Sequence, residues 1–345
     1  MGREMNYIGA RGSRPWTLLL DKVRHNMEAV FLDFETVASP GLDLAALEAV
    51  TPDLEIFERT PAAEVAARIA GCSFVYLNKV RMTREIMEAS PELRFIGLVA
   101  TGVDNVDLEA ARERGIAVAN IRSYCTGAVV EHVFGVILTL AHSLHRYRDD
   151  VRAGAWQQST SFCLLQHPIR ELAAMTLGIV GHGELGQAVE TMARAFGMDV
   201  RISERPGSTD PATDGRMPFH KLLRVADVLS LHCPLTDNTR GLIGRGELAL
   251  MKPDAILVNT ARGGLVDSAA LADALENGRI GGAAIDVLAT EPPVAGDPLL
   301  DYRGDNLILT PHIAWATLEA RRNAIRELAA NVQAFLDGRP RNRVA

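Results

Sequence analysis

Met175-Thr176-Leu177-Gly178-Ile179-Val180-Gly181-His182-Gly183-Glu184-Leu185-Gly186 is the stretch on which the fold of this chain turns. Its apolar run reads as a buried strand, the glycines fall in the spacing GxGxxG, and residues 184–196 read as a helix. Gly197 is placed to close that helix as its C′ residue. In such a turn the first glycine permits a tight bend and the second lets a phosphate approach the main chain. The third lets helix and strand pack closely. A helix that begins there aims unpaired N–H groups at an anion. A lone GxGxxG carries little weight. Here it is framed by a strand before it, a helix after it, a second strand at 200–203 and an acid at that strand's end, and this context reads as a dinucleotide site of Rossmann type.

The acid is Glu204, 18 residues beyond Gly186. A carboxylate there accepts hydrogen bonds from the ribose hydroxyls of an adenosine and repels a 2′-phosphate, which favours NAD. Arg205, its neighbour, leaves NADP open as a second cofactor.

Outward from this turn, 345 residues are too many for one small core and fit two domains. Nearly half of the residues are apolar, charges are plentiful and no low-complexity tract occurs, so the chain is globular. A net charge of −7 with scattered arginines argues against nucleic acid as a partner. Cys72, Cys125, Cys163 and Cys233 lie far apart without a CxxC pair, as expected of free thiols in a cytoplasmic protein with no metal site. No apolar run reaches the ~18 residues of a membrane span. Residues 1–26 carry a short Leu18-Leu19-Leu20 core broken by Asp21-Lys22, a poor signal peptide, and they read as a dispensable extension.

Alternating strands and helices begin with Ala29-Val30-Phe31-Leu32. Strand-like runs recur at 74–77, 95–99 and 116–119, with a short helix at 108–114. Residues 127–146 read as one long internal helix, because Val129, Val133, Val136, Ile137, Leu140 and Leu144 recur at three-and-four spacing. Strands follow at 228–231, 255–258, 283–285 and 307–309, and an amphipathic helix at 318–336. This alternation predicts an α/β protein of two parallel sheets flanked by helices. The last helix is expected to return to the first domain, which makes that domain discontinuous. The expected boundaries are 27–122 with 313–345 for the outer domain and 123–312 for the inserted nucleotide-binding domain.

Ligands of open α/β sheets bind beyond the carboxyl ends of the strands. Arg262, Glu291 and His312 each follow one of three successive late strands by a few residues. An arginine fork suits a substrate carboxylate. A histidine titrates in the range needed to protonate a carbonyl oxygen as hydride arrives. A carboxylate beside that histidine orients the ring and keeps it protonated. Singly, each has a plain alternative: Arg262 as a loop charge, which is the weaker reading there, Glu291 as a turn acid before Pro292-Pro293, and His312 as a packed histidine. Their joint placement behind a nucleotide loop points to acid–base reduction of a 2-keto acid. His132, His142 and His145 lie on one helix without a ligand set and read as structural. His232, at a strand end, is not assigned chemistry. Trp156 and Trp315 read as packing residues, with a cap over the substrate pocket as the alternative for Trp315, three residues after His312.

These segments resemble the D-isomer-specific 2-hydroxyacid dehydrogenases over nearly all of 27–345. The resemblance rests on Ala100-Thr101-Gly102-Val103-Asp104-Asn105-Val106-Asp107, on 177–186, 227–241 and 259–267, and on 284–292 and 310–317. Within the family the chain is most similar to the bacterial glycerate dehydrogenases, or hydroxypyruvate reductases, through Leu77-Asn78-Lys79-Val80, Ser203-Glu204-Arg205 and Pro311-His312-Ile313-Ala314-Trp315-Ala316. Asp104 is nearer the phosphoglycerate dehydrogenase pattern. The resemblance implies a Rossmann domain inserted into a flavodoxin-like substrate domain. It further implies that Arg262 binds the substrate carboxylate, with Thr101, Gly102 and Val103 assisting through their backbone, and that Glu291 supports His312 as general acid–base. Glu184 and Leu185 would contact the pyrophosphate, Cys233 and Pro234 the adenosine, and Thr260, Ala261 and Asp286 the nicotinamide. A homodimer through 127–160 and reduction of hydroxypyruvate, with glyoxylate as a second substrate, are implied too. Another 2-keto acid, such as phosphohydroxypyruvate or a bulkier analogue, is the alternative within the class. An NADH-sensing, corepressor-like binding protein is the alternative outside it.

Overall fold

The structure, a computed structural model, describes residues 28–205 and 215–345. The proposed extension, 1–26, lies outside the described residues. The chain divides into two compact units, one formed by Met1–Tyr124 with Leu318–Ala345 and the other by Cys125–Thr317.

In the first unit, strands β1 (Ala29–Phe31), β2 (Leu54–Ile56), β3 (Phe74–Leu77), β4 (Phe95–Leu98) and β5 (Ala117–Ala119) form one sheet in the order β2-β1-β3-β4-β5. All pairings are parallel, and the strand order reverses between β1 and β3, as in flavodoxin-like sheets. Strands β3 and β4 are buried along their whole length, which requires cover on both faces and explains why they read as continuous apolar runs. The helix Leu318–Leu336 belongs to this unit. Its Phe335 ring lies 5.9 Å from Phe74 and 5.0 Å from Phe95, and Asn331 donates to the Asn120 carbonyl at 2.8 Å.

The second unit holds a six-stranded parallel sheet. Its strands are β6 (Thr176–Val180), β7 (Asp199–Ile202), β8 (Val228–Leu231), β9 (Ile256–Asn259), β10 (Gly282–Ile285) and β11 (Leu307–Leu309), ordered β11-β10-β9-β8-β6-β7. The order reverses between β6 and β8, so the switch point lies where the glycine turn leaves β6. Alternate residues of one strand feed opposite faces, as a period of two demands. Leu257 joins the cluster of Leu229, Leu231 and Ile285, whereas Ile256 and Val258 join that of Val133, Ile137 and Leu177.

The expected single helix over 127–146 is corrected to two. Thr126–Ala141 and Leu144–Arg152 meet at an angle of 59°. Ser143 adopts a left-handed φ of 52°, and its buried hydroxyl donates to the Pro168 carbonyl at 2.8 Å. The Arg170 N–H takes up the Ala141 carbonyl left over at the helix end. Among the described residues no single helix is long and apolar enough to cross a membrane, and no cluster of His, Cys, Asp and Glu is arranged to hold a metal ion. None of the four cysteines is paired in a disulfide.

Candidate active site

The sheet of the second unit brings its strand ends to one edge. Val180 pairs with Leu231, Leu231 with Asn259, Asn259 with Ile285 and Ile285 with Leu309. The residues that follow these positions therefore share the carboxyl edge: Gly181, His232, Thr260, Asp286 and Thr310.

At the switch point the glycines behave as their spacing demands. Gly181 has φ +93°, and a Cβ there would meet His232 and Cys233 main-chain atoms at 2.5 Å. A Cβ on Gly186 would lie 2.2 Å from the Gly181 carbonyl oxygen, so only glycine lets the Glu184–Ala195 helix start this close to the turn. Gly183 faces open space, and no side chain caps the helix whose N-cap it forms. The N-terminal N–H groups beside Glu184 and Leu185 thus remain available to an anion, so the turn fits a dinucleotide pyrophosphate. The Glu184 side chain is turned aside, accepting a hydrogen bond from the Thr126 hydroxyl. Glu204 lies two residues past β7, the strand beside β6, and its N–H donates to the Met217 carbonyl at 2.9 Å. Cys233 is buried in the core, so its main chain rather than its thiol borders the glycine turn, with Pro234 next to it.

Three carboxyl-end loops carry the candidate reacting groups. The His312 Nδ1 lies 2.6 Å from Glu291 Oε2, and Glu291 Oε1 accepts the Leu288 N–H at 2.8 Å. An ionised carboxylate only accepts, so Nδ1 carries the proton of this bond and Nε2 is the nitrogen left for a substrate. An apolar pocket of about 420 Å³, walled by Leu288, Pro293, Leu300 and Leu309, adjoins the pair. Arg262 lies three residues past the end of β9. The buried Asn259 amide fixes that loop, accepting from Ala261 N–H and donating to the Arg262 carbonyl, both at 3.0 Å. A Cβ on Gly263 would fall 1.9 Å from the Leu288 carbonyl carbon, so the Arg262 loop rests on the main chain that holds Glu291. In the first unit, Thr101, Gly102 and Val103 follow β4. There the Thr101 hydroxyl donates to the Ile121 carbonyl at 3.1 Å and its own carbonyl accepts from Asn120 at 2.7 Å.

One residue does more than its sequence reading assigned. Asp286, 2% exposed, accepts N–H bonds from Ile313 at 2.8 Å and Ala314 at 2.9 Å and the Thr310 hydroxyl at 2.6 Å. Its carbonyl accepts the His312 N–H at 2.8 Å. His312 is held at a left-handed φ of 57°. That conformation costs about 1–3 kcal/mol, whereas each hydrogen bond to a charged acceptor contributes about 1.5–3 kcal/mol. Two such N–H bonds therefore outweigh the strain. Trp315 fastens the same turn, donating its indole N–H to the His312 carbonyl at 3.1 Å. His132 also reaches this network, 3.4 Å from the Thr310 hydroxyl. The sequence offered one sign of the hub, a carboxylate placed directly after four apolar strand residues.

The family model described as D-isomer specific 2-hydroxyacid dehydrogenase, NAD binding domain, matches residues 134–314, just over half of the chain. This chain belongs to the D-isomer-specific 2-hydroxyacid dehydrogenases. It is 42% identical over 317 residues to the glycerate dehydrogenase of Methylorubrum extorquens, covering 91% of this chain and 98% of that one. The hydroxypyruvate reductase of Blautia hydrogenotrophica is 36% identical over 92% of this chain and 99% of its own. The crystal structure of the TT0316 protein from Thermus thermophilus superposes with a TM-score of 0.79 at 35% identity, over 92% of this chain and 99% of that one. As a D-2-hydroxyacid dehydrogenase the chain is an NAD-dependent oxidoreductase of the CH–OH group.

Proposed function

We propose that this dehydrogenase reduces hydroxypyruvate to D-glycerate, and glyoxylate to glycolate, with NADH, His312 acting as general acid. The substrate reading rests on the two relatives named for glycerate and hydroxypyruvate, whose lengths the chain covers almost completely. The mechanistic reading rests on one observation, the 2.6 Å contact between His312 Nδ1 and Glu291.

Bound NADH supplies the hydride. His312 donates the Nε2 proton to the keto oxygen as the carbonyl carbon is reduced, and Glu291 stabilises the imidazolium and fixes the ring. Arg262 holds the substrate carboxylate through its fork, with the Thr101, Gly102 and Val103 main chain assisting. Thr260, Ala261 and the remaining acceptor capacity of Asp286 orient the nicotinamide, and Cys233 and Pro234 border the adenosine. Glu204 favours NAD over NADP by accepting from the ribose hydroxyls. Four cysteines without a disulfide suit a reducing cytoplasm, where the enzyme works as a homodimer.

A panel of 2-keto acids with NADH and with NADPH tests this reading through the loss of reduced-nicotinamide absorbance. Hydroxypyruvate with NADH is expected to give the highest kcat/KM, about tenfold or more above phosphohydroxypyruvate and bulkier acids. A higher value for any of those competitors sinks the substrate assignment. NADH binding without turnover of any keto acid sinks the enzymatic reading.

A further inference from the structure

We infer that the first unit carries a second anion site, for a small phosphorylated metabolite, built from Arg122, Arg326 and Arg341. The three line one pocket of about 530 Å³, together with Ser123, Asn323 and Glu327. Three guanidinium groups face one carboxylate there, which leaves two positive charges in the pocket.

The carboxylate is already committed. Glu327 Oε1 pairs with Arg341 Nη2 at 2.9 Å, and Oε2 accepts from the Asn342 amide at 3.4 Å. Arg341 also donates to Asn331 Oδ1 at 2.6 Å, so its position is fixed from two sides. Arg122 and Arg326 are exposed and make no ion pair or side-chain hydrogen bond with any described residue. Two guanidinium groups with no partner among the described residues repel each other across one concavity, and an anion between them removes that cost.

The main chain is bent to make this arrangement. Among the described residues only four without a glycine adopt a left-handed φ, and two of them, Ser123 at 55° and Asn342 at 50°, line this pocket. A third is His312, in the reacting site. Such conformations persist only where surrounding contacts over-determine them. Here they turn the segments that carry Arg122 and Arg341.

Guanidinium forks match phosphate oxygens bidentately, and the Asn323 amide and Ser123 hydroxyl add neutral donors. The volume exceeds what one inorganic phosphate fills and falls in the range of small-ligand sites. A phosphorylated metabolite fits this chemistry better than a simple monocarboxylate, which would leave one arginine unpaired. The site is separate from the cofactor loop, since every lining residue belongs to the first unit. It also borders both places where the chain passes between units. Arg122 stands just before the first, after Tyr124, and Arg326 stands on the helix that opens with Leu318 at the second.

The test uses the full-length enzyme with saturating NADH, which fills the glycine-turn phosphate site. Inorganic pyrophosphate is titrated by calorimetry at constant ionic strength, with AMP and inorganic phosphate as parallel ligands. The expected result is saturable pyrophosphate or AMP binding that R122Q/R326Q weakens about a hundredfold, given the strength of two charge-assisted contacts. Because both arginines are exposed and have no partner among the described residues, the variant is expected to keep the wild-type melting temperature without ligand, and R326Q alone to lose about tenfold. Absence of saturable binding, or equal affinity in wild type and R122Q/R326Q, overturns the site.

Discussion

His312 holds a left-handed backbone that only three other non-glycine residues share among those described, and the groups that hold it there are the ones that aim its ring. Its Nδ1 is taken by Glu291 at 2.6 Å, while the buried carboxylate of Asp286 binds the two N–H groups that follow it. His312→Ala removes the proposed proton donor but none of the glycine turn. It is expected to lower kcat by about 10²–10⁴ while NADH affinity, read by fluorescence titration, stays within about twofold. Near-normal turnover would refute the role. A second histidine behaves oppositely. His232 bonds Ser230 Oγ at 2.8 Å, its Nδ1 is shut off from solvent, and burial pushes its pKa down to about 4. Its folded pKa lies below the ordinary 6.5, so the unfolded chain binds the extra proton between those values. The stability this neutral ring contributes is full above pH ~6.5 and is lost as pH falls towards ~4, by up to about 3 kcal/mol. His232→Asn is therefore expected to flatten the pH dependence of the melting temperature across that window. Parallel curves for the two proteins would count against it.

At the scale of the element, the unit that matters is strand, glycine turn and helix. A methyl group on Gly186 would sit 2.2 Å from the Gly181 carbonyl oxygen, which forces the helix start away from the turn. Gly186→Ala is expected to raise the KM for NADH about tenfold or more, with a smaller change in the KM for the keto acid; unchanged NADH kinetics would show that the helix start tolerates the shift. This element was legible in the sequence because each of its parts has a local cause: buried parallel strands are compact apolar runs, and a turn with φ +93° needs glycine. The final helix, Leu318–Leu336, was legible for the same reason. The bend at His142–Ser143 was not, since apolar spacing continues across it and its causes, Pro168 and Arg170, come from a later segment. The Glu291–His312 pair was legible from chemistry and strand order. The anchoring by Asp286 was not, because hydrogen bonds to the main chain of another loop leave no mark on residue type. Nor does Leu54–Ile56 announce itself, being a half-exposed edge strand without an apolar run.

For the whole molecule the open surface to explain is the arm at 144–169. Six of the twelve large apolar residues exposed among the described ones fall there, including Phe162 at 90%, Leu165 at 78% and Trp156 at 53%. The arm is nonetheless held in shape. Tyr147 donates to the His167 carbonyl at 2.8 Å, His167 and Gln166 reach Asp150 at 2.7 and 2.8 Å, and the Trp156 indole donates to the Phe162 carbonyl at 3.0 Å. A loop that is ordered by its polar groups while presenting its apolar ones has the character of a docking surface prepared in advance. Burial of a side chain such as Phe162 or Leu165 contributes about 1.5–3 kcal/mol each, and a two-fold dimer counts every such contact twice. Size-exclusion chromatography with light scattering is therefore expected to give twice the 37.4 kDa chain mass. F162D/L165D, which places two charges on that surface and touches neither the glycine turn nor His312, is expected to shift the protein to the single-chain mass at micromolar concentration. A wild-type mass of one chain, or a variant that stays dimeric, would place the contact between copies elsewhere or remove it.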